Sequence, residues 1–288
     1  VREIRRYLGL ELSGAKNQKT AIAVLEYYPK EKKVFLLDLY DRIHEEGKTS
    51  DEALLNLLEE LRESVVKMGV NVSLDLPPCI ECTRKACLTP AGCSLPAVKW
   101  MRDLTKKAAR NPELAKKVRE FTPYTQRPIE LWIRYQVLPK LPEAFRFEVD
   151  ETLGGNRAPL NARMHYLMKH LKAYGLFEVW PKLTIAVLAV ELGWTRRMVL
   201  NYRNLEEGAQ MREKMLESLA RHRGIFIYDR DVRKLSNSLA GFDSFISAYT
   251  AMLADNSGCE EAPHSFPAGQ HWLQFPHLSQ PKDRSASA

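Results

Sequence analysis

The amino-acid sequence predicts an α/β fold: a mixed five-stranded sheet with flanking helices and a helical insertion. Three observations carry this. Three apolar runs near the start are joined by short polar turns, the pattern of an antiparallel meander. A helix-periodic stretch then leads to a fourth apolar run. A long, charged segment broken by prolines separates that run from the fifth.

Leu8, Leu10 and Leu12 alternate with Tyr7, Gly9 and Glu11, so residues 7–12 have the period of a strand. Ser13-Gly14 follows as a turn. Thr20 to Tyr28 and Val34 to Tyr40 are the next two strands, joined by a polar turn that opens with Pro29. Ser50-Asp51-Glu52 puts acid in the first turn of a helix. Leu54, Leu57, Leu58, Leu61, Val65 and Met68 recur at helical spacing, which predicts an amphipathic helix over 51–68 ended by Gly69. Asn71 to Leu76 reads as the fourth strand, stopped by Pro77-Pro78. A cysteine loop fills 79–95, and the helical insertion occupies about 97–175. Leu176 to Trp180 is the fifth strand. Helices are expected at 182–192 and 206–222, and a short edge strand at Ile225 to Tyr228. An amphipathic helix follows, marked by Phe242, Phe245, Ile246, Tyr249 and Leu253, and a last strand lies within His271 to Phe275. Residues 1–276 read as one domain, and 277–288 as a disordered tail.

Hydrophobic residues make up 45% of the chain, enough for a core and against global disorder. No apolar run approaches the ~18 residues that span a bilayer. No leader pattern is visible, so a reducing cytoplasm is expected. Lys plus Arg number 43 against 36 Asp plus Glu, a net charge of +7 that is compatible with a nucleic-acid partner. Lys99, Arg102, Lys106, Lys107, Arg110, Lys116, Lys117 and Arg119 cluster in the insertion; they read as a solvated helix face ahead of a phosphate-binding patch.

Four acids stand in or beside apolar elements. Glu11 faces away from the leucines of its strand. Asp75 alternates with Val72, Leu74 and Leu76. Glu178 lies between Phe177 and Val179, and Asp243 beside the apolar stripe of the late helix. Singly, each is explained by a salt bridge or a solvated strand end. Together they point to one crevice beyond the strand ends, because a buried carboxylate is costly unless paired or bound to metal. Hard cations such as Mg²⁺ or Mn²⁺ take carboxylate oxygens, and two of them can clamp the attacking and leaving oxygens of a phosphodiester. Glu11, Asp75 and Asp243 are the expected primary ligands, with Glu178 a fourth ligand or base. Clustered carboxylates repel, so Asp75→Asn is expected to leave the metal-free protein no less stable.

Cys79-x₂-Cys82-x₄-Cys87-x₅-Cys93 follows the fourth strand. Four thiolates in one loop can close around tetrahedral Zn²⁺ or an iron–sulfur cluster, and Pro90 and Gly92 help the loop turn back. The bland alternative is four reduced thiols.

The order β-β-β-α-β, with an acid in Gly9-Leu-Glu-Leu-Ser-Gly14 and another in Val72-Ser-Leu-Asp-Leu-Pro77, resembles the RNase H-like fold. More narrowly, the chain is similar to the predicted RNase H-like nucleases known as domain of unknown function 429. Asp75-Leu76-Pro77, Glu178-Val-Trp-Pro181, Asp243-Ser-Phe-Ile-Ser-Ala and Gly269-Gln-His-Trp272 match that family's short motifs, the last with one inserted residue. The resemblance covers most of 7–276 and implies a metal-dependent nuclease acting on nucleic acid. Glu11 departs from the family's Asp, a side chain longer by one methylene.

Two other classes fit parts of the pattern. Actin-like and sugar-kinase ATPases open with an acid and a glycine hairpin, which Glu11-Leu-Ser-Gly-Ala-Lys16 resembles. Their second glycine hairpin has one counterpart, Asp150-Glu-Thr-Leu-Gly-Gly155, in a poor strand pattern. A catalytically inactive module that binds nucleic acid or protein is the third reading. Arg127 and Glu130 flank Pro128 at an ordinary helix start, although Arg127 could brace the carboxylate crevice. His165 and His170 lack metal-ligand spacing, and there is no Walker A or Gly-x-Ser-x-Gly element.

Overall fold

The computed structural model describes residues 4–14, 19–87 and 89–278. In chain order its main elements are β1 (Arg5–Glu11), β2 (Ala21–Tyr28), β3 (Lys33–Tyr40), α1 (Ser50–Leu61), β4 (Val65–Val70), α2 (Thr89–Gly92), α3 (Pro96–Arg110), α4 (Pro128–Trp132) and α5 (Arg157–Leu167). There follow β5 (Leu176–Val179), α6 (Pro181–Leu192), α7 (Arg196–Asn201), α8 (Gly208–Arg223), β6 (Ile225–Phe226), α9 (Asp229–Asn237), α10 (Leu239–Asp255) and β7 (Leu273–Gln274). They form two compact units. The first takes its described residues from Val1–Val72, Tyr166–Glu260 and Leu273–Ala288, the second from Ser73–His165 and Glu261–Trp272.

The first unit is built on one seven-stranded mixed sheet in the order β6-β3-β2-β1-β4-β5-β7. β1, β2 and β3 form the antiparallel meander, and β4, β5 and β7 continue from β1 in parallel. β1 is flanked by β2 and β4. The expected five strands become seven because the short runs near 225 and 273 each pair over two residues at the sheet edges.

Helix α10 packs across β1, β2 and β4. Residues 241–252 are buried throughout, so this helix is enclosed on all sides where an amphipathic one was expected. Its close approach explains two glycines. Gly9 and Gly69 are register partners on β1 and β4. A Cβ on Gly9 would stand 1.8 Å from the Ser244 carbonyl oxygen, and one on Gly69 2.3 Å from that of Ser247. Only glycine admits the helix here.

Gly69 is therefore a strand residue, which corrects two expectations. The helix expected over 51–68 ends at Leu61, and a 3-10 turn leads into β4. Val65 and Met68 happen to continue the helical spacing, but the β-branched pair Val65-Val66 suits a pleated strand. The fourth strand thus lies at Val65–Val70 rather than Asn71 to Leu76. Only the Asn71 N–H extends its ladder, donating to the Leu10 carbonyl at 3.1 Å. Asp75 consequently stands on no strand and belongs to the second unit.

In the second unit, Met101, Leu104 and Ala108 of α3 pack with Leu131 and Tyr135. Trp100, Trp132, Phe266 and Trp272 stack with ring centroids 5.1–6.2 Å apart, which secures the returning segment Glu261–Trp272. The insertion is less helical than its charge pattern implies. Between α3 and α5 the prolines leave α4, short 3-10 turns and one π-helical turn, Ile133–Val137. No helix among the described residues is long and apolar enough to cross a membrane. The tail expected at 277–288 lies outside the described residues from 279 onward, as do Ala15 and Lys16 of the first hairpin.

Candidate active site

Glu11 is the last residue of β1, and Asn71 directly follows β4, its parallel neighbour. Asn71 Nδ2 donates to Glu11 Oε2 at 2.7 Å. This is the carboxyl edge of the parallel strands, beside the junction where the antiparallel meander gives way to parallel pairing. Crevices at such switch points are where open α/β sheets bind ligands.

Asp243 reaches the same face from α10, whose start is set by Ser238 Oγ accepting from the Gly241 N–H at 3.0 Å. The Asp243 side chain is buried. Its Oδ2 accepts from Arg203 Nη1 at 2.8 Å, and its Oδ1 is buried with no hydrogen-bond partner among the described residues. Arg203 comes in from the surface, 43% of its side chain exposed. It also donates to the Tyr202 hydroxyl at 3.3 Å. Arg212 is held by the carbonyls of Tyr202 and Ser236.

The charges are coupled. Burial raises the pKa of Asp243, and Arg203 opposes the shift. The Arg203 guanidinium is pushed further up by Asp243 first, with Tyr202 and Glu11 adding to it. Burial and then the Asp243 charge raise the Tyr202 hydroxyl, and Glu11 contributes again. Burial lowers Arg212, against the pull of Asp243. Glu11 and Asp243 therefore act on the same Arg203–Tyr202 pair.

The other two expected acids stand elsewhere. Glu178 pairs in register with Val70, and Val70 with Leu10. Cross-strand partners share a face, so Glu178 points to the Leu10 side of the sheet while Glu11 points to the Gly9 side that carries α10. Glu178 is buried and accepts from Trp180 Nε1 at 3.1 Å.

Asp75 lies in a buried polar network of the second unit. Its Oδ1 accepts from Arg127 Nη1, and its Oδ2 from the His271 backbone N–H at 3.0 Å. Arg127 is wholly buried, and its Nε reaches Glu130 Oε1 at 3.0 Å and Thr152 Oγ1 at 2.6 Å. Burial raises the pKa of Glu130, and Arg127 opposes this. Asp75 thus faces a guanidinium. The relief of repulsion expected for Asp75→Asn gives way to loss of a buried ion pair.

Sequence reasoning missed Arg203, which sits between two helices in a tract without periodicity. Its signal was indirect: an acid inside an apolar helix requires a cation. Arg127 reads in the sequence as part of a helix start; that is half of its role, since its backbone N–H donates to Glu130 Oε2 at 3.0 Å.

Cys79, Cys82, Cys87 and Cys93 line one cavity of about 150 Å³ in the second unit, with Arg84, Ala86 and Leu95. Arg102 Nη1 gathers the loop by donating to the carbonyls of Pro90, Ala91 and Cys93 at 2.7–3.1 Å. Burial, then the neighbouring Cys93, Cys87 and Cys82, raise the Cys79 thiol. Among the described residues no three His, Cys, Asp or Glu side chains are gathered tightly enough to form a metal-ligand set. Compared with known protein families, curated proteins and solved structures, the chain matches none.

Proposed function

We propose that the chain is an RNase H-like nuclease that hydrolyses phosphodiester bonds of nucleic acid with Mg²⁺ or Mn²⁺ at the Glu11–Asp243 edge. The observation that carries this reading is Asp243 Oδ1, a carboxylate oxygen that is buried without a hydrogen-bond partner among the described residues, on the sheet face that Glu11 shares. A buried acceptor without a donor costs about 1–3 kcal/mol, and more when charged. A hard cation is the ligand class that would satisfy it. When bound, the cation supplies Lewis-acid polarisation of a phosphodiester oxygen.

The chain's own residues do the rest. Arg203 holds Oδ2 and so aims Oδ1. Asn71 fixes the Glu11 carboxylate, which compensates for its longer arm. Asp75 and Glu178, the further acids that the resemblance implies, are held by Arg127 and Trp180 away from this edge and are tested separately. The test is a nuclease screen in Mg²⁺ and Mn²⁺ with Glu11→Gln, Asp75→Asn, Glu178→Gln and Asp243→Asn. Loss of cleavage in Glu11→Gln and Asp243→Asn supports the site; cleavage at the parent rate in both rejects it.

The ATPase reading has an observation of its own. Ser13, Lys19, Thr20, Arg42 and Ser50 line a pocket of about 220 Å³ beside the first hairpin, a set of hydroxyls and cations suited to phosphate. ATP binding that survives Asp243→Asn would favour it.

The cysteine loop is proposed as a four-thiolate structural centre for Zn²⁺ or an iron–sulfur cluster. Its support is that all four thiols line one cavity. The ligand set is not preformed, so binding would draw the loop inward and couple metal uptake to folding.

A further inference from the structure

The second unit also contains a pocket of about 500 Å³ that the reading above leaves without a task. Lys116, Lys117, Arg119, Arg134 and Arg146 line it against a single carboxylate in its lining, Glu148. Two of these cations are engaged. Arg119 pairs with Glu148 at 3.0 Å, and Arg146 donates to the carbonyls of Leu141 and Pro139, each at 2.9 Å.

Arg134 differs. Only 11% of its side chain is exposed, and Glu148 stands 4.0 Å from its Nη2. Nη2 donates to the Val149 carbonyl at 3.0 Å. Nε and Nη1 are buried with no hydrogen-bond partner among the described residues. A guanidinium has five donors and cannot shed its charge, so burying two of its nitrogens unsatisfied is costly. Folded proteins keep such groups where something else completes them.

The backbone marks the same place. Arg134 lies in the π-helical turn Ile133–Val137, a rare geometry that concentrates at functional sites. Tyr135 of that turn accepts the Arg119 backbone N–H on its hydroxyl at 3.3 Å, which ties the basic tract to the turn. Lys116 and Lys117 are exposed at the pocket. The basic run that reads as a solvated face in the sequence thus contributes three of its cations to one concave surface.

We propose that this pocket binds phosphate groups, with Arg134 as the inner donor and Lys116 and Lys117 as the outer charges. Phosphate offers strong acceptor oxygens, and a site enclosed on the protein side strengthens each charge-assisted bond. The phosphate can come from a nucleic-acid backbone or from a small phosphate, and the two are distinguished by experiment. The pocket's residues belong to the second unit and Glu11 and Asp243 to the first, and its test is run in EDTA, so this proposal and the nuclease reading fail separately.

The test uses the full chain in two arms. Anisotropy of a labelled single-stranded oligonucleotide is followed against salt, and inorganic phosphate is titrated by calorimetry. The parent should bind at least one of them. Arg134→Gln should weaken binding roughly ten-fold or more, and Lys116→Gln/Lys117→Gln should flatten the salt dependence of oligonucleotide binding by about one to two phosphate contacts. Oligonucleotide binding identifies a backbone site; phosphate binding alone identifies a small-phosphate site. Should Arg134→Gln fail to fold, the exposed lysine pair still decides, through its loss of salt dependence or of phosphate affinity. A parent that binds neither probe at millimolar concentration overturns the proposal, as do variants that bind as the parent does.

Discussion

Gly9→Ala puts one methyl group where α10 meets β1. The added Cβ would lie 1.8 Å from the Ser244 carbonyl oxygen and 2.3 Å from the Ala248 nitrogen, about 1.6 and 1.1 Å short of the 3.4 Å at which ordinary contact begins. Both obstacles are backbone atoms of a helix buried throughout its middle, so no side chain can swing aside. The helix or the strand must move. Overpacking of a core costs ~1–3 kcal/mol where side chains can adjust, and here the upper end is the expected floor. At ~2–4 °C per kcal/mol, that floor of ~3 kcal/mol corresponds to a fall in melting temperature of at least about 6–12 °C. Asp243 immediately precedes Ser244, so the same displacement should pull its carboxylate away from Arg203. Thermal unfolding followed by circular dichroism measures the first effect. Gly69→Ala, with its closest approach at 2.3 Å, should do less harm. A Gly9→Ala protein that melts within about 2 °C of the parent would refute this account of the sheet–helix contact.

Three further outcomes are expected. Arg127→Met should cost ~3–5 kcal/mol in urea unfolding because it strands Asp75 and Glu130, and adding Asp75→Asn and Glu130→Gln should restore most of that loss; unchanged stability of Arg127→Met would contradict the network. Burial raises Tyr7, which also donates to Asp255 Oδ2 at 2.8 Å, and Tyr249 from the usual 10.0 to about 12. The stability tied to them should be complete below pH 10.0 and lost as pH rises through about 12, with tyrosinate absorbance appearing alongside unfolding; free titration of these two near 10.0 in the folded protein would be inconsistent. Protein purified without oxygen or chelator should carry zinc, or iron with sulfide, and lose it on Cys79→Ser or Cys93→Ser; absence of both metals would reject the thiolate centre.

Much of the fold was legible in the sequence because residues 7–12 alternate with a period of two and the next two apolar runs are set off by polar turns. The antiparallel pairing of β1 with β2 follows from that. The start of β4 did not, because Val65 and Met68 satisfy helical and strand patterns alike, and only the contact of Gly69 with α10 decides between them. Asp75 moved with that boundary. Its alternation with Val72 and Leu74 mimics a strand, yet the segment is buried by a second unit that forms around Arg127. Glu11 and Asp243 were legible as acids in apolar elements, and Arg203, the partner of Asp243, was not, since a contact across forty positions leaves no local trace. Arg134 was equally silent, for its distinction is two buried nitrogens, Nε and Nη1, without a hydrogen-bond partner among the described residues.

A divalent cation is proposed to complete Asp243 on the sheet face that Glu11 shares. The most direct measurement is the melting temperature of the EDTA-treated chain against added Mn²⁺, compared between the parent and Asp243→Asn. A site on the folded state alone stabilises by RT ln(1 + [L]/Kd), so the parent should melt at rising temperature as Mn²⁺ increases, and Asp243→Asn should not respond. A parent indifferent to Mn²⁺, or an Asp243→Asn protein that shifts as far as the parent, would contradict the account.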